Sequence, residues 1–433
     1  MRLRLLLVPV SFAAVLSLMP SVSARSTDAR LAALAPAVRK NLEQAIIPFW
    51  YPQSIDREHG GFVLAFDRTG QPTGRPAKMI VSQARMVWTF ARLARIGYRP
   101  SEMLPAATQG FRFLSDRMWD RELGGFYWEV DATGETVTDP EKYMYGQSFA
   151  LYALSEYYRA THDQAALDLA TRTFDLIVQH GRDEQFGGYF EYRARDWSAP
   201  GVPHPSHIGG PVGAKLMNTH LHLLEAFAEY YRATRSTRAR DRLLELIAIE
   251  SNSVVRKRLT ACTDQYTRDW TPILEGSSAR VSYGHDLENI WLLADAVDTA
   301  GESNHLYLDL YKSLYAYSRR FGFDDVKGGV FYNGAFRKKA DKLEKVWWVQ
   351  AEALVSALTM YGLTRDEAYA ADFEHVWSWV NTHQTDWTHG EWHNEVLPDG
   401  TPRGDKASAW KEAYHQTRGV LEVLDRLGRL SRD

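Results

Sequence analysis

Six short stretches gather residues that can move protons or hold a polar ligand. Histidine leads them. His220 and His222 stand in "NTHLHLLEAF" beside Asn218, His285 stands in "YGHDLENIWLL" with Asp286 and Glu288, and His415 stands in "AWKEAYHQTR" with Trp410, Tyr414 and Arg418. "KVWWVQAEA" adds Trp347, Trp348, Gln350 and Glu352, "SQARMVWTF" adds Arg85, and "YMYGQSF" adds Tyr145. An imidazole with an ordinary pKa of about 6.5 is accessible in both protonation states at neutral pH, so histidines suit both removal and return of a proton. Glu288 and Glu352 suit a different reaction, glycosidic cleavage, which needs two carboxyl groups roughly 5–10 Å apart. Tryptophan is abundant, at 14 residues. It serves sugar stacking and core anchoring equally well.

Helical phase sorts these residues, because neighbours on one face are spaced by three or four. Asn218, His222 and Glu225 share a face, whereas His220 lies roughly 200° round the helix from His222. His222 is therefore the histidine expected to face a lumen, and His-x-His is a poor helical chelate. His285, Glu288 and, less closely, Trp291 form a second face, and Trp348 with Glu352 a third. A lone histidine on an apolar helix is more often a satisfied core residue, but six phased clusters shift that balance toward function. The chain has one cysteine, Cys262, and no H-E-x-x-H motif, so no metal site is expected. Nucleotide, redox-cofactor and serine-nucleophile signatures are missing as well, and no cofactor is expected.

Something must bring these stretches together. A Gly-Gly phrase recurs at Gly60-Gly61, Gly124-Gly125, Gly187-Gly188 and Gly328-Gly329, with a degenerate copy at Gly390. Its spacing is about 63 residues, doubled between the third and fourth copies, where "TDQYTRDWTPI" lacks the glycines. A fixed period of this kind marks a repeat architecture. A helical pattern precedes each turn, as in "DQAALDLATRTFDLIVQHG", and another follows it. The post-turn helices are apolar or small around most of their circumference, as buried helices are. The mature chain starts on a pre-turn helix and ends on a post-turn helix, so its last unit can close a circle with its first. The expected fold is all-α: a single (α/α)6 barrel over residues 25–433, post-turn helices inside, with short β-hairpin loops. The six polar clusters then meet at one mouth, where a small-molecule pocket is reasonable.

Composition narrows the setting. Arg2 and Arg4, the apolar run from Leu5 to Leu18 and the small residues Val22-Ser23-Ala24 make residues 1–24 a signal peptide, cut after Ala24. Export to a periplasm or to the medium is expected, with no membrane attachment after cleavage. A net charge of −3 argues against a nucleic-acid partner. One cysteine allows no intrachain disulfide, so a packed core must supply the stability.

"NTHLHLLEAF", "GHDLENIWLL", "WWVQAEAL" and the "W-K-x-x-Y-H" ending, in that order, resemble the N-acylglucosamine 2-epimerase superfamily, particularly its cellobiose 2-epimerase branch. The similarity runs from about Asn41 to the C-terminus. It implies cofactor-independent interconversion at C2 of a reducing-end sugar on an (α/α)6 barrel. His285 and His415 would match the paired acid/base histidines. Arg85, His222 and Glu288 would match other essential polar positions, and Tyr145, Asn218, Trp291, Trp348 and Trp410 the sugar contacts, to which Trp347 and Glu352 are added as neighbours. Glu288 would orient a neighbouring histidine. The expected function is a 2-epimerase of β-1,4-linked disaccharides such as cellobiose or mannobiose, acting as monomer or homodimer through ring opening and a cis-enediolate. A monosaccharide aldose–ketose isomerase or an N-acylhexosamine 2-epimerase is the alternative within the superfamily. A glycoside hydrolase on the same barrel and a non-catalytic sugar-binding protein are the alternatives outside it. The segment "SAPGVPHPSHIGGPVGAKL" departs from the family pattern and bears on substrate choice.

Overall fold

The computed structural model describes residues 22–432. The expected export segment lies outside them except for its last three residues, whose backbone opens the first helix, Val22–Ala32. Six inner helices follow in chain order: Ile80–Arg95, Met144–Thr161, Met217–Thr234, Tyr283–Ala300, Trp347–Thr364 and Tyr414–Leu430. Each packs on the next, and the sixth returns onto the first, so the ring is closed. The outer layer comprises residues 22–50 and the helices Pro100–Phe113, Gln164–Leu176, Thr237–Ala248, Leu308–Gly322 and Glu367–Trp379. The architecture is the expected (α/α)6 barrel.

Each outer helix packs chiefly on the inner helix that precedes it in the chain, rather than on the one after its Gly-Gly turn. Connection length explains this, because short links make antiparallel neighbours. At three of the links a left-handed residue ends the inner helix (His162, Arg235 and Arg365) and the next residue caps the outer helix: Asp163, Ser236 and Asp366 accept from Ala165, Ala239 and Ala368 N–H. The N-terminal segment accordingly covers the sixth inner helix, and the ring needs no further unit.

The long Gly-Gly linkers are fastened by a repeated device. Asp56, Asp120, Asp183, Asp324 and Asp386 form ion pairs with Lys78, Lys142, Lys215, Lys345 and Lys406 at 2.7–3.1 Å, the lysines all buried. Gln83, Gln147 and Gln350, each in the first turn of an inner helix, accept from the N–H of Phe62, Phe126 and Val330 and donate back to the same residue's carbonyl. In the third unit His220 Nε2 takes this place, accepting from Tyr189 N–H at 2.8 Å. Asp286 takes it in the glycine-free fourth unit, accepting from Cys262 N–H at 2.9 Å. The sixth turn differs because it joins the ends of the ring. There Glu391 accepts from Trp50 Nε1 at 2.6 Å and pairs with buried Lys411, while its N–H donates to Ala45 carbonyl.

Successive units are also bolted together. Arg195 reaches back to Asp120, and Trp197 donates from Nε1 to Leu123 carbonyl. Gly125 is needed here on two counts: its φ is +77°, and a Cβ would lie 2.4 Å from Trp197 Cζ2. Burial draws Lys142 down to about 8. It also opposes the charge on Asp120, but Arg195 and Lys142 together hold that carboxyl well below its usual range. Removing one partner of a buried pair leaves the other charge uncompensated. Lys142→Met is therefore expected to destabilise the fold by about 3 kcal/mol in urea titration, with part recovered in Lys142→Met/Asp120→Leu. Equal midpoints for wild type and the single variant would show that the pair does not fasten the linker.

Candidate active site

At the N-terminal ends of the inner helices lies a cavity of about 300 Å³. Ten of the expected residues line it: Arg85, Tyr145, Asn218, His222, His285, Glu288, Trp347, Trp348, Trp410 and His415. A larger depression of about 810 Å³ lies outside the ring, between His59 and Arg117, and no titratable group on its wall is buried. The chemistry is concentrated in the smaller cavity.

The fold selects these residues by a two-residue offset. Where Gln83, Gln147, His220, Asp286 and Gln350 hold the linkers, the residues two places later are Arg85, Phe149, His222, Glu288 and Glu352. A step of two turns a helix by roughly 200°, so the later residue points away from the linker, and three of the five, Arg85, His222 and Glu288, reach the cavity. His220 and His222 divide accordingly. His220 is fully spent on backbone, donating from Nδ1 to Leu216 carbonyl, and burial pushes its pKa down to about 3.

Arg418 stands two places after Gln416 and is the centre of the site. Its Nη1 donates to Glu225 at 2.5 Å, and its Nη2 to Glu288 at 2.6 Å and Glu352 at 2.8 Å. Three inner helices are thereby joined to the sixth. The guanidinium lies 4.7 Å from the Trp291 ring centroid and 4.4 Å from that of Tyr414. Burial would discharge it, but the three carboxylates raise its pKa well above the ordinary value. Glu288, Glu352 and His415 offer donor atoms within 4.8 Å of one another, a spacing that suits a metal. Arg418 Nη2 already supplies the positive charge between the two carboxylates.

Two expected sugar contacts stand behind the wall instead. Trp291 Nε1 donates to Glu352 Oε2 at 2.7 Å, and Glu352 Oε1 faces His415 Nδ1 at 2.7 Å. Their polar atoms are thus committed to positioning His415. The orienting role expected of Glu288 belongs to Glu352 for His415 and to Glu225 for His222, whose Nδ1 lies 3.0 Å from Glu225 Oε2. An ionised carboxylate only accepts, so beside the ionised Glu225 His222 donates from Nδ1 and keeps its lone pair on Nε2, whereas burial raises the pKa of Glu352. Burial works against charge on Glu225, yet Arg418, His222 and Tyr414 hold it well below the usual carboxyl range.

Trp348 packs close to both expected acid/base groups. Its ring centroid is 4.8 Å from that of His285 and 5.8 Å from that of His415. Gly284 permits the approach, since a Cβ there would meet Trp348 at 2.5 Å. Burial lowers the pKa of His285, His415 and His222 alike, with nearby carboxylates opposing the shift. All three are therefore poised toward the neutral, basic form.

Arg85 supplies a cation to the same space. It donates to Glu412 at 3.0 Å and to Tyr145 Oη at 3.1 Å, and stacks on Phe149 and Tyr414. Burial pushes Tyr145 up to about 12, so its hydroxyl stays protonated. Arg85 Nε, Trp347 Nε1 and Asn218 Oδ1 have no hydrogen-bond partner among the described residues, which leaves two donors and an acceptor buried around the cavity. His207, Ile208 and Tyr332 also line it, from linkers that helical phase does not reach.

Three comparisons agree with this architecture. The chain matches the family described as N-acylglucosamine 2-epimerase (GlcNAc 2-epimerase) over residues 60–418. It is 31% identical over 395 residues to the cellobiose 2-epimerase of Bacteroides fragilis, covering 90% of this chain and 98% of that one. The solved cellobiose 2-epimerase of Spirochaeta thermophila DSM 6192 superimposes with a TM-score of 0.84 at 33% identity, over 93% of this chain and 98% of that one. A D-mannose isomerase of Marinomonas mediterranea is 27% identical, over 88% of this chain and 94% of its own length. With the closed ring and the histidine-lined mouth, these matches place the chain in the N-acylglucosamine 2-epimerase family, and it is an isomerase.

Proposed function

We propose that the protein is a sugar 2-epimerase that interconverts glucose and mannose at the reducing end of β-1,4-linked disaccharides such as cellobiose or mannobiose, without a cofactor. The observation that carries the reading is the placement of His285 and His415 in one cavity, both packed close to Trp348, with His415 backed by Glu352. Similarity to cellobiose 2-epimerases over nearly the whole chain supports the same substrate class.

The chemistry runs in three steps. Ring opening exposes an aldehyde at C1, assisted by His222 and the free polar atoms around it. One of the two flanking histidines then removes the C2 proton, and the electron pair spreads onto the C1 oxygen as a cis-enediolate. Arg85, always cationic and fixed by Glu412 and Tyr145, stabilises that charge. The other histidine returns a proton to the opposite face of C2. Return at C1 instead gives the ketose, which is the reading that similarity to a D-mannose isomerase favours. Glycosidic hydrolysis has less support, because Glu288 and Glu352 are both tied to the same guanidinium, that of Arg418. The polar n-region and apolar stretch of residues 1–24 support export. No helix among the described residues is long and apolar enough to cross a membrane.

Incubating the protein with cellobiose or mannobiose in deuterium oxide, followed by NMR, tests the reading. The C2 epimer carrying deuterium at C2 is expected. His285→Ala and His415→Ala should each lower kcat by about 10²- to 10⁴-fold. Release of monosaccharides, or a ketose as sole product, would overturn it. The pH profile gives a second check. Because burial depresses the histidines, the basic form persists to lower pH, and the acid limb of kcat/KM should have its midpoint below 6.5. A midpoint above 6.5 would assign the base elsewhere.

A further inference from the structure

Two of the cavity histidines have a carboxyl group at Nδ1: Glu225 lies 3.0 Å from His222, and Glu352 lies 2.7 Å from His415. His285 differs. Ser282 Oγ accepts from its backbone N–H at 3.4 Å, but neither ring nitrogen makes a hydrogen bond among the described residues. The ring is partly open and lines the cavity beside Trp348.

The fourth linker, the one without the glycine pair, passes close to this histidine. Met144, Met217 and Trp347, each the first residue of an inner helix, donate their N–H to the carbonyls of Glu191, Asp264 and Asn394 in the linker that follows. A residue at this position therefore sits in the seam between one helix start and the next. Asp264 is fixed there twice, because its Oδ1 also accepts from Asn218 N–H at 3.2 Å. Two residues back, Cys262 N–H donates to Asp286, the neighbour of His285 in the chain. The seam that holds Asp264 is thus bounded by Asn218 and His285, both of which line the cavity. Asp264 is half-buried, and its Oδ2 has no hydrogen-bond partner among the described residues.

Two other carboxyl groups stand at this corner, and both are committed elsewhere. Glu191 accepts from Ser206 Oγ at 2.9 Å and from Thr219 Oγ1 at 2.6 Å, and Glu250 accepts from Asn289 Nδ2 at 2.6 Å. Burial pushes Glu191 up to about 7 and Glu250 well above its ordinary range, with the charge on Asp264 adding to both shifts. Burial raises Asp264 as well, but His285 opposes that shift more than the Asn218 N–H does. The effect is mutual: burial lowers His285, and Asp264 opposes the lowering more than Glu352 does. The other titratable or charged groups near the ring are Glu288, one turn along the same helix, and Tyr332, Arg85, His222 and His415 on the cavity wall.

We propose that Asp264 is the positioning residue of His285, the counterpart of Glu352 beside His415: its free Oδ2 orients the ring and stabilises the imidazolium formed when His285 takes the C2 proton. This rests on the epimerase reading, in which His285 is one of the two acid/base groups. In that step the C–H electron pair stays with the sugar, the ring carries the added proton until it is returned, and Asp264 keeps its charge throughout.

Asp264→Asn keeps an acceptor for the Asn218 N–H and removes the charge, whereas Asp264→Glu keeps the charge. Histidine Cε1–H resonances would be titrated by NMR in both variants and in wild type, with that of His285 assigned by its loss in His285→Ala. Values of kcat and KM for cellobiose would be measured alongside. An anion favours the imidazolium, so its removal lowers the midpoint. In Asp264→Asn the His285 midpoint is expected to fall by about one unit and kcat by about tenfold at unchanged KM, with the His222 and His415 midpoints unmoved. Asp264→Glu should restore most of both. An unmoved His285 midpoint, or kcat lost equally in the two variants, would overturn the pairing. Wild type that takes up no deuterium at C2, with the titration shift present, would instead overturn the epimerase reading and leave the pairing in place.

Discussion

A single buried guanidinium serves three carboxylates, and the site is arranged around that constraint. Arg418 stands on the last inner helix, and Glu225, Glu288 and Glu352 on the third, fourth and fifth. None of these charges is stable alone in so apolar a place. Together they fix the mutual orientation of four helices. Glu225 and Glu352 in turn hold His222 and His415, so the groups that move protons inherit their geometry from a group that does not.

The carboxylate partners also decide what kind of histidine each one is. Burial favours neutral rings, while a carboxylate at Nδ1 favours the imidazolium that forms on proton capture. The two effects oppose each other and leave a base that is unprotonated at rest but stabilised once charged. His220, tied to backbone on both nitrogens, has no such partner and serves as a clamp.

Much of this was legible in the chain. The Gly-Gly period marked six units and the closed ring, and helical phase separated His222 from His220. It placed Trp291 and Glu352 on the right faces but could not say at what depth, because depth depends on what stands in front of a residue. Arg418 was visible as one of a cluster, yet its weight comes from three carboxylates on three helices brought together only by closure. The offset that begins with Gln83 and Arg85 would have pointed to it, had the residue two places after Gln416 been read in the same frame. The wide π-type turns that end four outer segments, as at Leu114–Met118, and interrupt the first at Asn41–Ile46, have no sequence mark of that kind. His207 was beyond helical phase altogether, since a linker has no period.

The offset separates two kinds of inheritance. Residues tied to the linkers answer to the ring, and Arg85 and His222, two places on, answer to whatever occupies the chamber. Glu288 answers to both, because it also pairs with Arg418. A lineage could reach another sugar by changing the free positions while its scaffold and its buried charges stayed in place, as a lock accepts new pins without a new barrel.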